Sequence, residues 1–110
     1  LVDTQTQLLP GLPLLPAPGH RPGHCAVRLT LGGKHLLHLA DAVGHPILML
    51  HPEWHWPFDS APDQAAETRK QLLSWACENQ AMLFGSHLPF PGLGRVTAHE
   101  SGWLWQPVEL

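Results

Sequence analysis

Residues 18–41 read Pro18-Gly19-His20-Arg21-Pro22-Gly23-His24-Cys25-Ala26-Val27-Arg28-Leu29-Thr30-Leu31-Gly32-Gly33-Lys34-His35-Leu36-Leu37-His38-Leu39-Ala40-Asp41. From Cys25 to Leu31 the side chains alternate with period two, so that Cys25, Val27, Leu29 and Leu31 share one face and Arg28 and Thr30 the other. This is the pattern of a half-buried strand. Gly32-Gly33 is a hairpin turn signal. It leads into a second strand, His35 to Ala40, which ends at Asp41. The Pro- and Gly-rich stretch from Pro16 to His24 reads as a tight loop feeding the first strand. A hairpin entered from such a loop points to a sheet-based domain.

Working outward, Leu8–Leu15 is apolar but interrupted by Pro10, Gly11 and Pro13, which suits an edge strand or extended arm because proline is excluded from central ladders. Ile47–Leu50 is a short apolar run that fits either helix or strand. After the Trp- and Pro-rich loop 52–58, helix signals accumulate. Asp59 or Ser60 can cap, Pro62 suits a first turn, and Asp63 and Glu67 lie near the positive end of the dipole. Ala65, Ala66, Leu72, Leu73 and Ala76 form an apolar stripe at helical spacing, and Arg69, Lys70 and Glu78 are expected to face away. The spacing predicts a helix over 62–78. A strand at Ala81–Phe84, a loop at 85–94, and strands near Arg95–His99 and Trp103–Gln106 complete the chain, with no internal repeat.

Length and charge bound the function. The 110 residues make a single domain, 1–110. Only 14% of positions are charged, against roughly 25% in a typical soluble domain, so apolar surface is left to hide. Six Lys+Arg against nine Asp+Glu provide no basic stripe, which argues against nucleic acid. The apolar runs fall far short of about 20 residues, so no membrane span is expected. Cys25 and Cys77 are too few for a disulfide scaffold. The start, Leu1-Val2-Asp3-Thr4, has neither a basic nor an apolar leader, and the absence of an initial Met suggests that more chain precedes it. The compartment is left open, with the cytoplasm slightly favoured.

Nine histidines are an excess for this length, and position must sort them. His24 closes a loop before a strand, Asp41 ends a strand, and His87 follows another. Loops at strand ends are where a rigid sheet can make ligands converge. Imidazoles and a carboxylate suit zinc or a similar divalent ion.

Three local motifs sharpen this. Pro18-Gly19-His20-Arg21-Pro22-Gly23-His24 resembles the third metal motif of the metallo-β-lactamase fold superfamily, P-G-H-T-x-G-H. Leu39-Ala40-Asp41-Ala42-Val43 is similar to its bridging-aspartate motif. Gly85-Ser86-His87-Leu88-Pro89-Phe90-Pro91-Gly92-Leu93-Gly94 is similar to its last metal motif, in the form seen in the branch of methyl parathion hydrolase and lactonase-like enzymes. The three occur in the family's order across nearly the whole chain. The resemblance implies an α/β (α+β) fold: half of a four-layer αβ/βα sandwich, the C-terminal half, with a mostly antiparallel or mixed sheet and one main helix.

The resemblance also implies roles. His24 would be a ligand of a first metal, Asp41 would bridge two, and His87 would be a ligand of the second. His20 would be structural, and Arg21 stands where the family has Thr; apart from the resemblance, His45 sits close behind Asp41 and could support the site from outside. The implied parent is a metal-dependent, dinuclear zinc hydrolase that acts on ester, lactone or phosphoester bonds through a metal-bound hydroxide. Its substrate would be a small molecule. The family's H-x-H-x-D-H string has no counterpart here. A catalytic zinc normally takes three protein ligands, so the chain alone is expected to bind metal weakly and to be inactive, with no catalytic residue of its own. The alternative is a non-catalytic fragment or an oligomerising metal-binding module without turnover. Half a sandwich would expose its inner face, and a homo-oligomer covering that face is expected.

Other candidates carry less. His35 and His38 lie on opposite strand faces, where packing is the expected role. Pro52 and Pro57 argue against a helix that would join His51 with His55. Trp54, Trp56 and Phe58 are expected to anchor their loop rather than line a pocket, and Trp103 and Trp105 to be buried. Cys25 reads as an inert buried thiol. Gly92 and Gly94 lack the following helix that a phosphate loop needs.

Overall fold

The computed structural model describes residues 6–9, 12–20, 25–85, 87–89 and 92–108. Among the described residues, seven strands and two helices follow in the order β1 (Thr6–Leu9), β2 (Leu12–Pro16), β3 (Cys25–Leu31), β4 (Lys34–His38), α1 (Ile47–Leu50), α2 (Pro62–Glu78), β5 (Met82–Phe84), β6 (Leu93–His99) and β7 (Gly102–Pro107). The strands form one sheet in chain order. All neighbours are antiparallel except β4 and β5, which run parallel. A parallel pair needs a long crossover, and α1 with α2 supplies it.

The expected elements are present, with local differences. The proline-interrupted arm, expected as an edge strand, is two strands: β1 lies at the sheet edge, and β2 is paired on both sides, with β1 and with β3. The undecided run at Ile47–Leu50 is a single helical turn. Helix α2 spans the residues its periodicity predicts, but its N-cap is Ala61, with no capping side chain. Asp59 and Ser60 are used otherwise: the Ser60 hydroxyl donates to the His20 carbonyl at 2.9 Å, and Asp59 is buried in an ion pair. Between β3 and β4, Leu31 pairs with Lys34 across Gly32 and Gly33, whose φ of 57° and 76° are those a tight two-residue hairpin demands.

Alternation along β3 and β4 separates two unlike faces. On one, Leu37 and Leu83 are fully buried with Leu72, Leu73 and Ala76 of α2, and Leu48 and Met49 of α1 join the same core. Trp75 of α2 spreads over this face, with the Arg28 guanidinium 5.4 Å from its ring and His35 edge-on at 5.4 Å. The more apolar face of β3 is turned the other way. Val27 and Leu29, with Leu36, His38, Ala40 and Phe84, line an open groove of about 370 Å³ that no helix covers. Among the described residues, no helix is long and apolar enough to cross a membrane.

One expectation is overturned. Arg69 does not face solvent; it is completely buried. The physical reason lies in the stripe itself. Position 69 is three or four residues from Ala65, Ala66, Leu72 and Leu73, so the spacing that buries them buries it too. Its charge is met by Asp59 Oδ2 at 3.1 Å and by the carbonyls of Pro52 at 3.2 Å and Trp54 at 2.6 Å. Buried charge is tolerated only with such partners.

Truncating either partner alone strands the other's charge in the core. Arg69→Met or Asp59→Leu should each lower unfolding free energy by about 3–5 kcal/mol, whereas the double variant should lose clearly less than the sum. Urea denaturation of the four proteins measures this; additive losses would contradict the pairing.

Candidate functional site

Strand register brings the site together. His38 pairs with Phe84 at the ends of parallel strands β4 and β5, and the Leu39 N–H extends the ladder to the Phe84 carbonyl at 2.9 Å. Asp41 stands three residues beyond His38, and His87 three residues beyond Phe84. Parallel strands that end in register deliver both loops to one place. There His87 Nε2–H donates to Asp41 Oδ1 at 2.8 Å.

Each loop is fixed by local chemistry. After β4 the chain turns at Ala40, which has φ 50°, and the Ala42 N–H closes the turn on the Leu39 carbonyl at 3.0 Å. Leu88, beside His87, is buried in the core, and the loop ties back on itself through Gly85 N–H to the Gly92 carbonyl at 3.2 Å. The exposed imidazole is therefore set next to a buried anchor.

The third element is the loop 17–20, clamped to the start of α2. The Gly19 carbonyl accepts from Ala61 N–H at 2.7 Å, the His20 carbonyl from Ser60 N–H at 2.9 Å, and the Pro18 carbonyl from Thr68 Oγ1 at 2.7 Å. Gly19 has φ 121° and lies so close to Ala65 that a Cβ would collide with the helix backbone. Glycine is required there by both space and dihedral.

These loops assemble a line of polar groups running from core to surface. Side-chain exposure rises from Arg69 (0%) and Asp59 (1%) through His20 (15%) to Asp41 (41%) and His87 (52%). Asp59 Oδ1 lies 3.0 Å from His20 Nδ1, and His20 Nε2 lies 3.7 Å from Asp41 Oδ2. The carboxylate of Asp59, paired with Arg69, accepts from His20 Nδ1–H, which turns Nε2 toward Asp41.

His20, Asp41 and His87 open into a cavity of about 330 Å³ whose remaining walls are Gly44, Trp56 and Phe58. Trp56 and Phe58 meet edge to face at 5.6 Å, so they line this pocket as well as packing their loop. The fit at Gly44 is close, since a Cβ there would lie 2.5 Å from Trp56 Nε1. Phe58 is 63% exposed at the mouth.

The other expected residues lie apart or outside. His24 lies outside the described residues, as do Arg21 and the side chain of Cys25. His45 is exposed; its Nδ1 accepts the Ile47 N–H at 3.0 Å, and it borders a different groove with Trp103 and Trp105. His35 packs on Trp75 and His38 on Phe84, on opposite faces of β4. His51 stacks on Trp54, and His55 pairs with Asp63 at 2.8 Å. Among the described residues, no three His, Cys, Asp or Glu side chains are grouped to hold a metal ion. The imidazole and carboxylate donors at the cavity are nonetheless the type that zinc takes. Sequence reasoning missed Asp59 and Arg69 as supports. The available signal was the position of Arg69 within the apolar stripe.

No family model matches the chain, and no curated protein does. Solved structures do. The chain is 33% identical to AidC, a dizinc quorum-quenching lactonase solved with an N-acyl homoserine product, at a TM-score of 0.89 over 99% of this chain. It is 27% identical to AbOPH, a hydrolase of the β-lactamase superfamily, at 0.86 over 93%. A probable metal-dependent hydrolase from Staphylococcus aureus shares the fold at 0.78 over the whole chain with 15% identity. The chain spans only 37%, 36% and 40% of these three proteins. A seven-stranded sheet covered by helices on one side is thus shared with proteins much longer than this chain, and the chain belongs to the metallo-β-lactamase superfamily as a partial chain of that fold.

Proposed function

We propose that this chain is the C-terminal part of a dinuclear zinc hydrolase acting on an ester, lactone or phosphoester bond of a small molecule. The observation that carries the reading is the meeting of Asp41 and His87 at 2.8 Å, with His20 behind them, on the wall of a cavity. In this reading His24, Asp41 and His87 would hold the metal. Bound ions would supply Lewis acidity, polarising the substrate oxygen and lowering the pKa of water.

The chain's own residues orient and exclude. Asp59, held by Arg69, fixes the His20 ring, whose Nε2 stands 3.7 Å from Asp41 Oδ2. Trp56 and Phe58 offer an apolar wall to the non-reacting part of a substrate and keep water from one side of the cavity. The remaining metal donors would come from outside this chain, so the chain by itself is expected to be without turnover. No residue of it is assigned a proton-transfer role.

Three substitutions test the reading in the protein that carries this chain. Asp41→Asn and His87→Ala should strip zinc and lower kcat/KM for esters or lactones by at least about 100-fold, and His20→Phe should cost about 10–100-fold by disturbing the wall beside Asp41. Metal analysis beside steady-state kinetics measures both. Full zinc content in Asp41→Asn would rule the reading out.

A second reading concerns the chain alone and rests on the open sheet face. Val27, Leu29, Leu36 and Phe84 line a groove that no part of the described chain covers. We infer that isolated chains associate through this face, as an uncovered apolar sheet would. Light scattering after size exclusion should give a dimer or larger species, with Leu29→Lys shifting it toward monomer. A well-folded wild-type monomer at micromolar concentration would contradict the inference.

A further inference from the structure

The residue directly before Asp41 is held in a conformation that its side chain disfavours. Ala40 has φ 50°, in the left-handed region that glycine enters freely and a residue with a Cβ enters at a cost. Its N–H donates to Nδ1 of His38 at 2.9 Å, a bond from residue i+2 back to side chain i, the same closure that Asn and Asp make in turns. The ring is braced edge-on against Phe84, with centroids 4.2 Å apart and planes at 82°. Phe84 is the last residue of β5, from which the His87 loop departs.

We infer that His38 is a positioning residue. Its imidazole accepts the Ala40 N–H, holds the left-handed turn, and so sets where Asp41 points relative to His87. This role rests on the proposed metal site, and it adds a residue whose side chain touches neither Asp41 nor His87 in any contact described above. Accepting at Nδ1 requires neutral His38 to carry its proton at Nε2. The strain at Ala40 and the acceptor at His38 are then two halves of one device. Without the acceptor the turn can relax toward ordinary dihedrals and swing the carboxylate away. With glycine at 40 the turn needs no acceptor.

The test uses four variants of the protein that carries this chain: His38→Leu, His38→Asn, Ala40→Gly, and His38→Leu with Ala40→Gly. Zinc affinity is read by chelator competition, the Ala40 amide by hydrogen exchange, and thermal unfolding alongside. His38→Leu should weaken zinc binding about tenfold, within the range for groups that orient a ligand, and expose the Ala40 amide to faster exchange. His38→Asn should stay close to wild type, because its side-chain oxygen can accept the same N–H. Adding Ala40→Gly to His38→Leu should restore most of the affinity. A purely structural role predicts otherwise: Leu and Asn variants would lose thermal stability alike, with zinc affinity per folded molecule unchanged, and that result overturns the inference. If the wild-type protein takes up no zinc, the functional reading fails, and Ala40 exchange alone decides the role of His38. Slow exchange in the wild type that quickens in His38→Leu upholds it; equal rates overturn it.

Discussion

The parallel pairing of β4 with β5 is the constraint on which the site depends. His38 and Phe84 are register partners, and each strand releases its loop at the same level of the sheet. Asp41 and His87 are 46 residues apart in the chain, yet equal offsets of three from a paired position make them meet. A one-residue slip of β5 would move every side chain of that strand to the opposite face and carry His87 along the strand axis. Burial of Leu83 on the helix side, beside Leu37, opposes such a slip, because Leu83 would then turn from the core to the open groove. The apolar core therefore sets the polar geometry.

A second constraint explains why a charge lies in that core. The loop bearing His20 has no strand ladder of its own at this level and is held instead by α2. Backbone hydrogen bonds through Gly19 and His20 clamp it, and the Arg69–Asp59 pair places a fixed acceptor under the His20 ring. Replacing such a pair with hydrocarbons would not by itself harm stability, since desolvating two charges offsets much of their attraction. Its retention is better explained by direction. A hydrophobic contact would hold the ring in place but would leave its tautomer unassigned, whereas Asp59 directs one nitrogen inward and the other toward Asp41.

The elements that follow from backbone periodicity were legible before any coordinates. The hairpin at Gly32-Gly33, the span of α2, and the strand ends that carry Asp41 and His87 all come from spacing and turn chemistry. What escaped has a common cause. Arg69 reads as outward by residue type although its spacing places it inward; a one-dimensional pattern cannot show that Asp59 and two carbonyls wait for it. Trp56 and Phe58 read as loop anchors because nothing local reveals that they share a cavity with Asp41. His38 looked like a packing residue, since its function depends on a dihedral two residues away that a non-glycine sequence does not advertise. Long-range partners and backbone strain were the unreadable part, and both lie around the site.

In the proposed reading the open groove and an incomplete donor set share one origin. A β–α–β crossover between parallel neighbours passes over one side of a sheet, so α1 and α2 cover the Leu37–Leu83 face and leave Val27, Leu29 and Leu36 bare. Sheets with one helix-covered and one apolar open face are completed by layering, helix on sheet on sheet on helix. The solved relatives are long enough for a second such layer pair, since this chain spans only 36–37% of the two nearest in sequence among those named above. In the proposed reading the same missing layer that would bury the groove would bring its own strand-end loops to the mouth where Asp41 and His87 stand. Completing the hydrophobic core and completing the metal shell would then be one assembly event. Affinity for metal would therefore depend on how well the two sheets pack, even though none of the groove's leucines touches the ions.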